Sequence, residues 1–125
     1  MRDGKFVVLC VDDDPDVHFT LRIVLEKSGY IMEEAQTAEE GLRKYKTAKP
    51  DFVLIDLMME EVDSGMNLAR QLQALGNKTP VYMLSSVGDQ LNMTVSPKEL
   101  DLSGFFQKPI NPDTLLLTLK LKLQK

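Results

Sequence analysis

The chain has 125 residues, 43% hydrophobic and 27% charged, a composition typical of one folded domain with a single sizeable core. Its 19 acidic and 15 basic residues give a net charge of −4 without a basic stripe, which argues against DNA or RNA as a direct ligand. The single cysteine excludes an internal disulfide, and no long apolar segment is present, so we expect a reducing, cytoplasmic compartment and no membrane span.

The first strand and helix are signalled by an apolar run and the residues that follow it. The segment KFVVLCV, residues 5–11, predicts a strand buried on both faces of a parallel sheet. Asp14 and Pro15 resemble an N-cap and an N1 proline, and predict a helix that runs to about Ser28 and stops at Gly29. The residues expected on its inward face are Val17, Leu21, Val24 and Leu25.

Two further pairs of strand and helix follow. YIMEEAQT predicts a weaker strand near a sheet edge, and TAEE has the form of a capping box that opens a helix ending before Pro50. DFVLID, residues 51–56, is a third strand that is apolar throughout. DSGMNLARQLQALG, residues 63–76, predicts a third helix, with Met66, Ala69 and Leu72 inward and Leu75 as a further candidate.

The C-terminal part of the chain holds two strands and two expected helices. TPVYMLSS predicts the fourth strand, SGFFQKP a short fifth, and NPDTLLLTLKLKLQK a last helix opened by a cap and an N1 proline. Residues 87–103 should hold the fourth helix, but Pro97 interrupts them, so we expect a short or displaced helix with an irregular loop.

The last helix is rich in leucine. Leu116, Leu119 and Leu123 form one expected inward stripe, whereas Leu117 and Leu121 fall elsewhere on the helix. Ordinary packing and an exposed patch used for a homodimer both remain open explanations for the last two.

This alternation predicts an α/β fold, a doubly wound five-stranded parallel sheet with helices on both faces. Ligands of such sheets collect at the carboxyl ends of the strands, and polar residues end four of these strands. They are Asp12 and Asp13, Asp56, Ser85 with Ser86, and Lys108. Clustered carboxylates suit a hard divalent cation that retains water and takes phosphate oxygens, which describes Mg²⁺.

With the motifs CVDDDP, VLIDLMM, YMLSS and FFQKPI in this order, the sequence resembles the receiver domains of two-component response regulators, typified by the bacterial chemotaxis receiver. Each motif alone is weak, but the four together are specific, and the resemblance covers residues 1–125 as a single receiver domain of flavodoxin-like (βα)5 fold. It implies a protein that accepts a phosphoryl group from a sensor histidine kinase or phosphotransfer protein. The output would be a downstream protein partner or a fused effector, without enzymatic turnover.

The resemblance implies a role for each of the acidic residues. Asp56 corresponds to the phospho-acceptor, and Asp12 and Asp13 correspond to the acid pair that binds the metal. Asp13, Asp56 and the backbone carbonyl of Met58 would contact Mg²⁺ directly, and Mn²⁺ is expected to substitute for it.

The resemblance also implies which residues respond to the phosphoryl group and so form a switch. Ser85, followed by Ser86, matches the hydroxyl that bonds the phosphoryl group, and Lys108 matches the lysine that meets its oxygens. The Lys108–Pro109 bond is similar to the cis peptide of the family. Phe105 occupies the aromatic switch position, where a ring without a hydroxyl signals through burial. Its movement would reshape the face formed by the fourth helix, fifth strand and last helix.

We expect ordinary structural roles for several neighbouring residues. Asp14 is expected to be an N-cap instead of a third ligand, His18 a surface or boundary residue, and Asp63 a turn or cap acid. The chain departs from the family pattern at Glu60, where proline is usual, and in the stretch before Lys108, which is one residue longer than in the chemotaxis receiver.

Two alternatives from other classes stay open. A haloacid-dehalogenase-type phosphatase also uses a sheet-end aspartate with Mg²⁺, but Asp16 stands where its motif usually has threonine, and the chain has no room for a cap domain. A pseudo-receiver, which binds a partner without phosphorylation, would fit the altered MEEVDSG loop.

Met58 and Val87 are expected to control how long the phosphorylated state lasts. Each lies two residues after a site residue, along the route of the attacking water, and neither side chain can orient a water molecule. We therefore predict slow autodephosphorylation, and faster release of phosphate from Met58→Asn and Val87→Glu variants. Time courses of phosphate release test this, and rates equal to that of the parent chain would contradict it.

Overall fold

The computed structural model describes residues 1–59, 64–86 and 101–123. Its strands are β1 Val7–Val11, β2 Ile31–Ala35, β3 Phe52–Asp56, β4 Val81–Ser85 and β5 Gly104–Gln107. The described helices are α1 Pro15–Lys27, α2 Ala38–Ala48, α3 Ser64–Ala74 and α4 Pro112–Lys122. The helix expected within residues 87–103, the fourth helix of the sequence analysis, falls largely outside the described residues. The label α4 therefore refers to the last helix of the chain.

Neighbouring strands all pair in parallel, in the order β2-β1-β3-β4-β5. The predicted five-stranded parallel sheet is confirmed, and β2 lies at an edge as its weaker pattern indicated. Strands β1, β3 and β4 are buried at every position because helices cover both faces of the sheet.

Alternate strand residues enter two separate cores. One core joins Leu9, Val53 and Met83 to the buried face of α3, and side chains of α2 pack against it. The other lies on the opposite face, where residues such as Val8 and Leu54 pack against α1 and α4. This two-sided burial leaves the strand ends as the place where polar side chains of the central strands can meet.

Three of the four described helices begin at the caps that the sequence predicts. The side chains of Asp14, Thr37 and Asn111 accept hydrogen bonds from backbone N–H groups of the first turns of α1, α2 and α4. The capping box at α2 differs in one detail, because Glu40 accepts from the N–H of Gln36 instead of that of Thr37. None of the helices in the described ranges is both long and apolar enough to cross a membrane.

The expected inward stripe of the last helix is confirmed at Leu119 and, with partial burial, at Leu116 and Leu123, but it left out Leu115. Leu115 and Leu119 are fully buried, whereas Leu116 packs only partly against the same core. A run of three leucines fits several helical phases, so the sequence alone could not select the inward one. Leu117 and Leu121 are 58% and 65% exposed, and their use in a homodimer stays a prediction.

The further candidate for the inward face of α3, Leu75, was wrong. This residue is 53% exposed because α3 ends at Ala74, one position before it. The other inward residues predicted for α3, at positions 66, 69 and 72, are buried.

Alanine substitutions on α4 test which face of this helix packs against the core. Leu115→Ala should lower the free energy of unfolding by about 3 kcal/mol, because it leaves a cavity in a closed core. The matched change Leu117→Ala, on the exposed face, should alter it by less than about 0.5 kcal/mol. Urea unfolding measures both, and equal losses in the two variants would contradict this packing.

Candidate functional site

Three carboxylates meet at the carboxyl edge of the sheet, as the sequence predicts. One oxygen from each of Asp12, Asp13 and Asp56 lies within 4.8 Å of the other two. Asp12 follows β1 and is fully buried, Asp56 ends β3 and is nearly so, and Asp13 is exposed. The cluster therefore runs from the interior of the sheet to solvent, and one side stays accessible.

Lys108 supplies positive charge to this cluster. Its Nζ lies 2.9 Å from Oδ2 of Asp12 and 3.1 Å from Oδ2 of Asp56. The residue is held in place because its backbone N–H donates to the Ser85 carbonyl at 2.7 Å. The following peptide bond, Lys108–Pro109, is cis, the isomer that the family resemblance implies.

Backbone hydrogen bonds fix the two buried acids. The N–H of Asp12 donates to the Ala35 carbonyl of β2 at 3.0 Å, and its Oδ1 accepts from the N–H of Asp14 at 2.9 Å. Oδ1 of Asp56 accepts from the N–H of Met58 at 3.2 Å. Both carboxylates are therefore held in one orientation, each with its Oδ2 toward Lys108.

The electrostatics of the cluster favour protonation of the central acid. Burial, followed by the negative charge of Asp12, raises the pKa of Asp56 to about 6, although Lys108 and the Met58 N–H act against this rise. Burial lowers the pKa of Lys108, but its hydrogen bonds and charge interactions with Asp12 and Asp56 outweigh this and leave that pKa raised. Lys108 is therefore charged at neutral pH, and keeping Asp56 ionised costs free energy.

The predicted switch residues lie on β4 and β5. Ser85 is buried at the end of β4, one residue beyond Leu84, which pairs with Asp56 across the sheet. Ser86 is exposed, and Phe105 is partly buried against the core formed with α2 and α3. Four residues singled out in the sequence lie outside the described residues: Glu60, Asp63, Val87 and Pro97.

The expectation for His18 was wrong. This side chain is 2% exposed, and its Nε2 lies 2.6 Å from the backbone carbonyl oxygen of Asp12. The sequence does contain the signal, because positions 18, 21 and 25 share one helical face.

Gly65 is a second residue that the sequence reasoning missed. A Cβ atom at this position of α3 would overlap the carbonyl oxygen of Asp56 and would crowd the backbone of Leu57. The absence of a side chain lets the start of α3 approach the end of β3, where the central acid lies. A glycine within the first turn of a helix, a poor position for it by propensity, is the signal that could have found it.

The donor set fits a divalent cation. Three carboxylates face one ammonium group, a formal excess of two negative charges (3 − 1 = 2), and the ligand atoms are hard oxygens. The exposed carboxylate of Asp13 keeps one side of the cluster open to solvent. The acids therefore match the chemistry of Mg²⁺.

A sequence model of the response regulator receiver domain matches residues 8–120. The chain is 32% identical over 118 residues to the transcriptional regulatory protein ResD of Bacillus subtilis, a match that covers 94% of this chain and 48% of that protein. It is 34% identical over 108 residues to the transcriptional regulatory protein GlrR of Escherichia coli, covering 86% and 24%. The chain thus spans at most about half the length of these curated relatives.

Solved structures give the same result. A CheY-like response regulator receiver domain protein from Methanospirillum hungatei superposes with a TM-score of 0.81 at 26% identity, covering 95% of this chain and 94% of that one. The chemotaxis protein CheY4 of Vibrio cholerae superposes with a TM-score of 0.79 at 29% identity, covering 96% and 100%.

The raised pKa of Asp56, about 6 against an ordinary 3.8, gives a stability prediction for the metal-free chain. The folded state binds more protons between these values, so ionisation of Asp56 costs stability fully above about pH 6, and the cost vanishes as the pH falls towards 4. Asp56→Asn, which mimics the neutral acid, should therefore raise the free energy of unfolding at about pH 8 by about 1 to 2 kcal/mol.

Urea unfolding in EDTA at several pH values measures this gain, which should shrink on acidification. Asp3→Asn is a matched control, because Asp3 lies in the turn before β1 at the opposite end of the sheet and its positive φ suits asparagine. A loss of stability on Asp56→Asn at about pH 8 would contradict the account.

Proposed function

The chain belongs to the response regulator receiver domain family, the signalling domains of two-component systems, and on that premise we propose that it accepts a phosphoryl group on Asp56. The donor is the phosphohistidine of a sensor histidine kinase or a phosphotransfer protein, and the reaction depends on Mg²⁺. The observation that carries this proposal is the convergence of Asp12, Asp13, Asp56 and Lys108 at one edge of the sheet.

The transfer itself needs alignment and charge neutralisation more than covalent help from the protein. A carboxylate oxygen of Asp56 attacks phosphorus, the P–N bond to the donor imidazole breaks, and an acyl phosphate forms on Asp56. The leaving imidazole keeps the bonding electron pair and takes up a proton. The only change to this chain is therefore one phosphoryl group.

The remaining polar residues would stabilise the charge that the phosphoryl group brings. Lys108 already lies 3.1 Å from Oδ2 of Asp56 and would bind one oxygen of the phosphoryl group. The Ser85 hydroxyl would donate a hydrogen bond to another phosphoryl oxygen. Asp13, Asp56 and the Met58 carbonyl would hold Mg²⁺, with Asp12 beside them. A bound Mg²⁺ supplies positive charge to the phosphoryl oxygens during transfer.

The output of the domain would follow from the charge added at Asp56, roughly 1.5 to 2 negative charges. Movement of Ser85 towards the phosphoryl group would open space beside it, and the half-buried ring of Phe105 would turn inward. The surface that changes would include β5 and α4. The exposed Leu117 and Leu121 of α4 would then serve a homodimer or a downstream partner.

Two of the curated relatives are named as transcriptional regulators, and the chain covers at most about half of each. A regulatory output of this kind, through a fused effector or through a separate protein partner, is therefore the class that we propose. The domain would act as a phosphorylated signal and would not turn over a substrate.

Incubation with acetyl phosphate and Mg²⁺ tests the proposal directly. Intact-protein mass spectrometry should detect one added phosphoryl group on the parent chain, none on Asp56→Asn, and one on the control Asp3→Asn. Addition of EDTA should prevent the labelling because the acid cluster then lacks its cation.

The other outcomes separate the alternatives. No added mass on the parent, under conditions that label a standard receiver, would contradict the proposal and favour a pseudo-receiver that binds without phosphorylation. Continuous release of phosphate from an aryl phosphate would instead favour a phosphatase. Labelling that persists in Asp56→Asn would move the acceptor to another residue.

A further inference from the structure

His18 is the one histidine of the chain, and it lies in the first turns of α1 with its ring buried. Its Nε2 lies 2.6 Å from the carbonyl oxygen of Asp12. A carbonyl oxygen can only accept a hydrogen bond, so Nε2 must carry a proton and donate it. The geometry thus fixes which ring nitrogen is protonated.

The carbonyl that His18 binds belongs to the peptide between Asp12 and Asp13, the two acids of the proposed metal pair. The N–H on the other side of Asp12 is already bound to the Ala35 carbonyl of β2. The backbone of Asp12 is therefore held from both directions, by the edge strand and by α1. Since Asp13 begins at the peptide plane that His18 fixes, this contact also restricts where the exposed Asp13 carboxylate can point.

The second ring nitrogen faces a carboxylate but is not hydrogen-bonded to it. Nδ1 makes no hydrogen bond with any of the described residues, and Oε2 of Glu34 is 3.7 Å away. Glu34 is itself held by Arg22, whose Nη2 lies 2.8 Å from its Oε1. Within the described part of the chain, the Asp12 carbonyl is therefore the one hydrogen-bond partner of the ring.

Burial of an imidazole with one nitrogen unsatisfied costs more than burial of an aliphatic side chain of similar size. The neighbouring inward positions of α1, Leu21 and Leu25, show that this face of the helix accommodates such side chains. What an aliphatic residue could not supply at position 18 is the donor to the Asp12 carbonyl. The hydrogen bond is thus the property that distinguishes His18 from a core leucine.

We propose that His18 is a positioning residue for the acid pair: its Nε2–H holds the Asp12–Asp13 peptide so that both carboxylates are presented to a divalent cation. The inference rests on the proposed function, because it assumes that Asp12 and Asp13 serve a metal. His18 would touch neither the metal nor the phosphoryl group and would act through the backbone of Asp12.

Substitutions that separate the donor from the bulk of the ring test this role. His18→Gln keeps an N–H near the position of Nε2, whereas His18→Met keeps the volume and removes the donor, and the shorter amide of His18→Asn falls short of the carbonyl. Titration calorimetry of the whole chain with Mg²⁺ should give about tenfold weaker binding for the Met and Asn variants. The Gln variant should stay within about threefold of the parent.

Leu25→Ala is the matched control for lost stability. It creates a cavity on the same face of α1 but leaves the donor in place, so it should unfold more easily and bind Mg²⁺ as the parent does. A drop in affinity for Leu25→Ala equal to that of His18→Met would reduce the role of His18 to general stability and would overturn the proposal.

The lone histidine also allows a test without metal. Nitrogen-15 NMR of the metal-free parent should give one imidazole with a proton on Nε2 that exchanges slowly with solvent, because the ring is buried and bonded. An Nε2 without a proton would overturn the assignment even if a His18 variant fails to fold.

The calorimetric outcomes also separate this inference from the proposed function. A parent chain that does not bind Mg²⁺ overturns both. A parent that binds Mg²⁺ normally, together with His18→Met and His18→Asn variants that bind it equally well, overturns the role of His18 alone.

Discussion

The ion pairs of Lys108 with Asp12 and Asp56 are the interactions on which the rest of this site depends. Both carboxylates lie at the ends of strands that helices cover on both faces, so water cannot solvate them as it would at a surface. One ammonium group bonded to both acids makes their joint burial tolerable. It leaves an excess of negative charge, which a second cation can neutralise.

The three acids differ in how deeply they are buried, and this difference gives them different roles. Asp12 is sealed inside and fixed by its backbone on both sides, whereas Asp13 lies in solvent and Asp56 lies between them. The proposed phosphodonor would therefore approach from the open side while the closed side keeps the geometry constant. The rigidity comes from ordinary structural features: paired strands, a cap at Asp14, and a buried ring behind the Asp12 carbonyl.

Most of the fold could be predicted because its signals are local. Apolar runs identify the strands, and Asp14 with Pro15 or Asn111 with Pro112 identify helix starts through the needs of unpaired N–H groups. The convergence of the acids could also be predicted, because parallel strands bring their carboxyl ends to one edge.

The errors arose where a residue takes its role from a partner distant in the fold. The helical spacing of His18 with Leu21 and Leu25 could indicate its burial, but its contact with the Asp12 carbonyl could not be predicted from the sequence. Gly65 is required by the backbone at the end of β3, and its place in the first turn of α3 could mark it as unusual but could not identify that partner. On α4, three consecutive leucines fit several helical phases, and packing against the sheet selected Leu115.

If acids from separate strand ends form one cation site, a crystal grown with Mn²⁺ should hold the ion there. Anomalous scattering would locate the ion without reference to any activity. We expect one strong peak within coordination distance of the Asp13 and Asp56 carboxylates, with Asp12 beside it. A well-ordered site with no peak there at saturating Mn²⁺, and with Lys108 still bonded to both acids, would contradict it.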